Sequence, residues 1–158
     1  MQWRDVLADP CLQNLPYKIE LNGQGSIEMS PASNRHGFTQ SEIVFLLRQT
    51  LPHGKTITEC AIRTPDGVRV ADVAWGSKAF FQRQNLAQDP FDQAPEICVE
   101  IVSPGNSDLE MQRKIELYLQ QGAREVWLVD LEGNCRFFTE DGEQGKTGFG
   151  VPVSGIFH

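Results

Sequence analysis

Two acidic residues sit where apolar ones are expected. Asp72 lies inside the run VRVADVAW, and Glu100 inside ICVEIV. Burying an ionised carboxylate without a partner is costly, so each must meet a cation, a hydrogen-bond donor or a metal ion. Two carboxylates side by side repel, and without an ion one of them would titrate high. A hard cation such as Mg²⁺ removes that repulsion by taking carboxylate oxygens as ligands. Lys114 follows Glu100 in the chain, at the edge of a helical stripe formed by Met111, Ile115 and Tyr118. A lysine there can lay its stem against a sheet and aim its ammonium at the end of the preceding strand. A plainer reading competes. Each acid could sit at a strand end in water or pair with an arginine, and Lys114 could form an i,i+4 surface pair with Glu110, worth only a few tenths of a kcal/mol. For a single acid the plainer reading is preferred; for two so similarly placed, neither is; for Lys114, taken by itself, the surface pair with Glu110 is preferred.

The elements that would position these residues can be read from pattern. PYKIELNGQGSIEMSP has two short alternating runs around Asn22, Gly23 and Gly25, which predicts a hairpin. A helix is expected from about Ser33 to Leu51, capped by Ser33 or Asn34, with Ile43, Leu46, Leu47, Thr50 and Leu51 at helical spacing. KTITECAIRT and VRVADVAW read as strands around the turn PDG. Residues 78–94 lack a period and are expected to form a loop with one short helix. The strand Ile97 to Val102, a helix from Asp108 to Gln121, and the strands EVWLVD and CRFFTE complete the order. The last residues, DGEQGKTGFGVPVSGIFH, are Gly-rich and predicted to be weakly structured, with a short apolar end. Side chains alternate along strands, so Glu100 should share a face with Cys98 and Val102, and Asp72 with Val70 and Ala74. Interspersed helices and strands indicate an α/β or α+β fold around one mixed sheet, with a right-handed parallel crossover from Ile97 to Val129.

The 158 residues suffice for one domain, taken as 1–158, with a hydrophobic core. No apolar run approaches the ~20 residues that span a bilayer, and the N-terminal residues lack the apolar centre of a signal peptide. A cytoplasmic protein without a membrane partner is expected. The net charge of −7 argues against binding nucleic acid, which needs clustered Lys and Arg. A local basic patch or a bound divalent cation would offset it. Cys11, Cys60, Cys98 and Cys135 form no Cys-x-x-Cys pair, so free thiols are expected. His36, His53 and His158 are scattered and read as turn or surface residues rather than as ligands or bases.

CVEIVSPGNSDLEMQRKIELYLQQGAREVWLVD closely resembles the signature of the bacterial Uma-type restriction endonucleases, a branch of the PD-(D/E)XK nuclease superfamily. The matching positions are Glu100, Ser103, Pro104, Glu110, Lys114, Leu117, Tyr118, Gly122, Glu125, Trp127 and Asp130. Upstream, YKIELNGQGSIEMSPAS is similar to the family's opening hairpin at Glu20, Gly23, Ser30 and Pro31, and VRVADVAW to its Pro-Asp-Val strand, with Ala71 in place of proline. The resemblance implies a restriction-endonuclease-like mixed sheet flanked by helices, with an N-terminal hairpin. It implies a metal-dependent endonuclease with catalytic residues Asp72, Glu100 and Lys114, and Glu20 and Glu110 as further acids. Mg²⁺ or Mn²⁺ would be held by Asp72, Glu100 and the backbone carbonyl of Ile101. The implied partners are nucleic acid, in the first place DNA, and a second copy of the chain in a homodimer. The superfamily's usual lysine position is occupied by Val102, and Lys114 from the next helix replaces it. The departures at Ala71, Lys18-Ile19 and Gly105 are not expected to touch the proposed ligands. The alternative is a catalytically silent copy of the fold, serving as a binding or dimerisation module.

Overall fold

A computed structural model describes residues 1–154 and Ile156. The predicted hairpin forms from β1 (Tyr17–Leu21) and β2 (Ile27–Pro31), paired antiparallel. α2 (Asn34–Thr50) follows, with Ser33 as its cap accepting from the His36 N–H at 3.0 Å. β3 (Gly54–Thr64) and β4 (Gly67–Ser77) make a long antiparallel pair. The short helix allowed in the loop is α3 (Lys78–Arg83). β5 (Ile97–Val102) pairs antiparallel with β4 and, after the crossover α4 (Asp108–Gln120), parallel with β6 (Glu125–Asp130). β7 (Cys135–Thr139) and β8 (Gly142–Gln144) finish an eight-stranded sheet in the order β2-β1-β4-β5-β6-β7-β8, with β3 also on β4.

The sheet is covered on both faces because its central strands are apolar on both. Met111, Ile115 and Tyr118 of α4 pack with Cys98, Val126 and Leu128. Ile43 and Leu47 of α2, one turn apart, pack on Val73, Val99 and Trp127 of the other face. Each such fully buried side chain contributes about 1.5–3 kcal/mol. β5 alternates as expected, with Cys98 and Val102 towards α4 and Ile97, Val99 and Ile101 towards α2.

Three details depart from expectation. A short helix, α1 (Trp3–Ala8), packs Trp3 and Val6 against Leu21, Val68 and Val70; it is too short to show a period. β8 lies in the stretch expected to be weakly structured. The alternation of β4 breaks at Asp72, since Ala71 and Ala74 share one core cluster while Val73 and Trp75 join another. The cause is local. The pairs Thr58↔Val73 and Cys60↔Ala71 flank Glu59 and Asp72, which do not pair. Glu59 has φ 53°, and the Gln40 amide donates to the Asp72 carbonyl at 2.7 Å in place of a ladder bond. His158 lies outside the described residues, as do Gly155 and Phe157 of the expected apolar end. Among the described residues no helix is long and apolar enough to cross a membrane. The cysteines are free, as expected.

Candidate active site

β4 offers one edge to two strands. β5 meets it at Val73, Ala74 and Trp75, and β1 meets it at Val68, opposite Leu21. Gly67 permits that second contact: its φ is 83°, and a Cβ there would lie 2.0 Å from the Leu21 carbonyl oxygen. Between the two contacts the strands diverge as a fork, and carboxylates take the exposed backbone donors. Glu20 Oε2 accepts from the Val70 N–H at 2.8 Å, and Asp72 Oδ2 from the Ile101 N–H at 2.7 Å. Rigid strands therefore hold both acids through their own backbone bonds.

Five charged side chains converge in the fork. Lys114 Nζ lies 2.8 Å from Glu20 Oε1 and 3.4 Å from Glu100 Oε2. Lys18 Nζ lies 3.1 Å from Asp72 Oδ1 and 3.0 Å from Glu100 Oε2. The Tyr118 hydroxyl donates to Glu100 Oε1 at 2.6 Å. His36 Nε2 is 3.2 Å from Asp72 Oδ1. The acids are deeply buried, Asp72 and Glu100 exposing 1% and 2% of their side chains.

The structure thus brings together Glu20, Asp72, Glu100 and Lys114, as the sequence predicted. Ile101 lies beside them, with its N–H bound to Asp72. Glu110 does not join: it is exposed at the rim of the cavity, and Lys114 turns to Glu20 and Glu100 instead. Two expectations are corrected. His36 is a buried partner of Asp72 rather than a turn or surface residue, because capping by Ser33 places it in the first turn of α2, over the sheet. Lys18, regarded as a departure clear of the ligands, touches both acids. Alternation on β1 puts Lys18 and Glu20 on one face, and that face turns into the fork. Tyr118 was legible as a core residue and a position of the family signature, without a role at the site, and Gln40 and Glu59 carried no signal.

Burial and charge oppose each other throughout. Burial raises the Glu100 carboxyl above its ordinary value; Lys114 and Lys18 pull it down, and Asp72 and Glu20 push it up. Burial also disfavours the Asp72 anion, but Lys18 and His36 outweigh it and hold Asp72 well below the usual carboxylate range. Glu20 is lowered despite burial, by Lys114 and then Lys18. Lys18 is raised well above an ordinary lysine because Glu100, Asp72 and Glu20 together exceed the cost of burying it. His36 is raised chiefly by its hydrogen bond to Asp72.

The fork opens into a cavity of about 610 Å³, whose walls include Tyr17, Met29, Glu59, Ser103, Asn106 and Glu110. The fork gathers Glu20, Asp72 and Glu100 from three strands and Lys114 from the crossover helix, four of the residues that the resemblance implied, and leaves Glu110 outside. The chain matches the Uma2 family, described as "Putative restriction endonuclease", over residues 4–146. The chain belongs to the Uma2 family. The fold is similar to that of a crystal structure described as "a putative nuclease belonging to DUF820", from Anabaena variabilis ATCC 29413. The TM-score is 0.71 at 19% identity, over 91% of this chain and 83% of that one. No curated protein matches the chain.

The donor set of this Uma2 chain suits a hard divalent cation: the oxygens are carboxylates, and one cationic point, the Lys18 ammonium, already lies within reach of both Asp72 and Glu100. Among the described residues no three His, Cys, Asp or Glu side chains are drawn together as ligands. Lys18 bridges Asp72 and Glu100, and Lys114 bridges Glu20 and Glu100.

Proposed function

We propose that this Uma2 protein is a metal-dependent endonuclease that hydrolyses phosphodiester bonds, with DNA as its first candidate substrate, acting in the bacterial cytoplasm as a homodimer. The observation that carries the reading is the convergence of Asp72, Glu100 and Lys114 at a strand fork with a cavity in front of it. Asp72 and Glu100, with the Ile101 carbonyl, would hold Mg²⁺ or Mn²⁺. Bound there, the ion would polarise a phosphate oxygen and lower the pKa of a water.

The chain's own residues supply the rest. Lys114, steadied by Glu20 at 2.8 Å, orients the attacking water and offsets negative charge as it grows on the phosphate. Tyr118 fixes the rotamer of Glu100 through its hydroxyl. Water attacks phosphorus, the bond to the leaving ester oxygen breaks, and a proton goes to that oxygen, giving a phosphomonoester and an alcohol. Glu110 stands at the rim as a further acid facing the substrate side.

The test is cleavage of duplex and single-stranded DNA and of RNA with Mg²⁺ or Mn²⁺. Asp72→Ala, Glu100→Ala and Lys114→Ala should each remove most activity, with effects that do not add because the three act as a unit. A second reading, the catalytically silent module, draws on the protein donors that occupy both oxygens of Glu20, Asp72 and Glu100. Wild-type protein that leaves every substrate intact would establish it in place of the nuclease.

A further inference from the structure

Of the three basic side chains near the acids, Lys114 reaches Glu20 and Glu100, and His36 reaches Asp72; Lys18 is the one that joins Asp72 to Glu100. It comes from β1, across the fork from both acids, and retains 10% side-chain exposure. Its ammonium stands where a shared divalent ion would have to be. We propose that Lys18 is the resident cation of this site, and that a divalent ion taken up by Asp72 and Glu100 must displace its ammonium into the adjoining cavity.

The proposal rests on the metal-dependent reading above. An ion binds carboxylate oxygens at about 2.1 Å. It cannot share Asp72 Oδ1 and Glu100 Oε2 with an ammonium at 3.1 Å and 3.0 Å from the same atoms. The two cations would compete for the same lone pairs and repel strongly in a buried, weakly screened place. Lysine is suited to leave, since its charge rides on a flexible stem with rotatable donors. Lys18 itself lines the cavity of about 610 Å³, and Glu59 in the same wall offers a carboxylate to the departing ammonium. Lys114 also lies 3.4 Å from Glu100 Oε2, but its shorter contact, 2.8 Å, is to Glu20, an acid outside the proposed ligand pair, which retains it when Glu100 takes an ion.

Two consequences separate this role from simple structural support. Metal uptake should unmask one amine and not the other, and removing the Lys18 charge should strengthen metal binding. The first is read by brief acylation of wild-type protein with an N-hydroxysuccinimidyl acetate, with and without Mn²⁺, and mass spectrometry of the lysines. Lys18 acetylation should rise by about tenfold with Mn²⁺ while Lys114 stays shielded. The second is read by calorimetric titration with Mn²⁺ alone. Lys18→Met should bind about tenfold more tightly than wild type, a difference of about 1.4 kcal/mol, and Lys18→Arg more weakly than Lys18→Met. Binding by Lys18→Met with none by wild type would also support displacement. Mn²⁺ binding that leaves Lys18 shielded, or is equal in wild type and Lys18→Met, overturns the resident-cation role and leaves the metal-dependent reading standing. No Mn²⁺ binding by any variant overturns both. Acylation needs no variant, so a failure of Lys18→Met to fold does not remove the test.

Discussion

Tyr118→Phe isolates one bond of the site. Tyr118 is fully buried on α4, and its hydroxyl lies 2.6 Å from Glu100 Oε1. Phenylalanine fills the same space apart from the hydroxyl. Among the described residues no other donor reaches Oε1, and burial of Glu100 limits replacement of the bond by water. A hydrogen bond to a charged group contributes about 1.5–3 kcal/mol, so the variant should lose about 2 kcal/mol. For a chain of this size that lowers Tm by roughly 4–8 °C. Urea unfolding and a thermal melt in chelator measure it, with Tyr17→Phe as control. Tyr17 is half-exposed on β1, so that change should stay within about 0.5 kcal/mol. A double-mutant cycle sharpens the test. In a Glu100→Gln background the bond is neutral on both sides and about half as strong, so the Tyr118→Phe loss should fall by about half. A loss below about 0.5 kcal/mol in the wild-type background, or one unchanged by Glu100→Gln, would refute the argument.

The remaining two predictions concern Asp72 and its partners in the absence of metal. Repulsion between bare acids would make Asp72→Asn stabilising, but Asp72 is the charged partner of Lys18 and His36. The variant should therefore unfold about 1–3 kcal/mol more easily in chelator, and a higher melting temperature than wild type would contradict the observed pairing. His36 titrates above its usual 6.5 because it gains Asp72 on folding. Its contribution is thus complete below that ordinary value and fades as the pH rises through the raised one. The stability gap between wild type and His36→Gln should narrow as the pH rises above the ordinary histidine value of 6.5; a constant or widening gap in denaturant titrations at several pH values would count against it.

The sequence by itself determined the elements with clear periods and the acids that broke them. Glu100 in ICVEIV and Asp72 in VRVADVAW were visible because a charge inside an apolar strand needs a partner. Lys114 stood at the edge of a helical stripe, where a surface pair with Glu110 was the plainer reading, and it was singled out by the family resemblance, which rested chiefly on residues local to one stretch of chain. Alternation also placed Lys18 on the same face of β1 as Glu20, yet nothing in the chain marked that face as turned into the fork. That is decided by β1 and β5 sharing one edge of β4, contacts between segments far apart in sequence. The same holds for His36, whose helix is laid over the sheet by Ile43 and Leu47, and for Tyr118, where an apolar ring in the core and a hydroxyl on Glu100 look identical in the chain. Alternation at Asp72 failed because the unpaired Glu59 and the Gln40 amide on the Asp72 carbonyl reset the strand. Local periodicity reports which way a side chain faces relative to its own element. The charge that comes to face it depends on how distant elements pack, and here that packing put a lysine between the two acids.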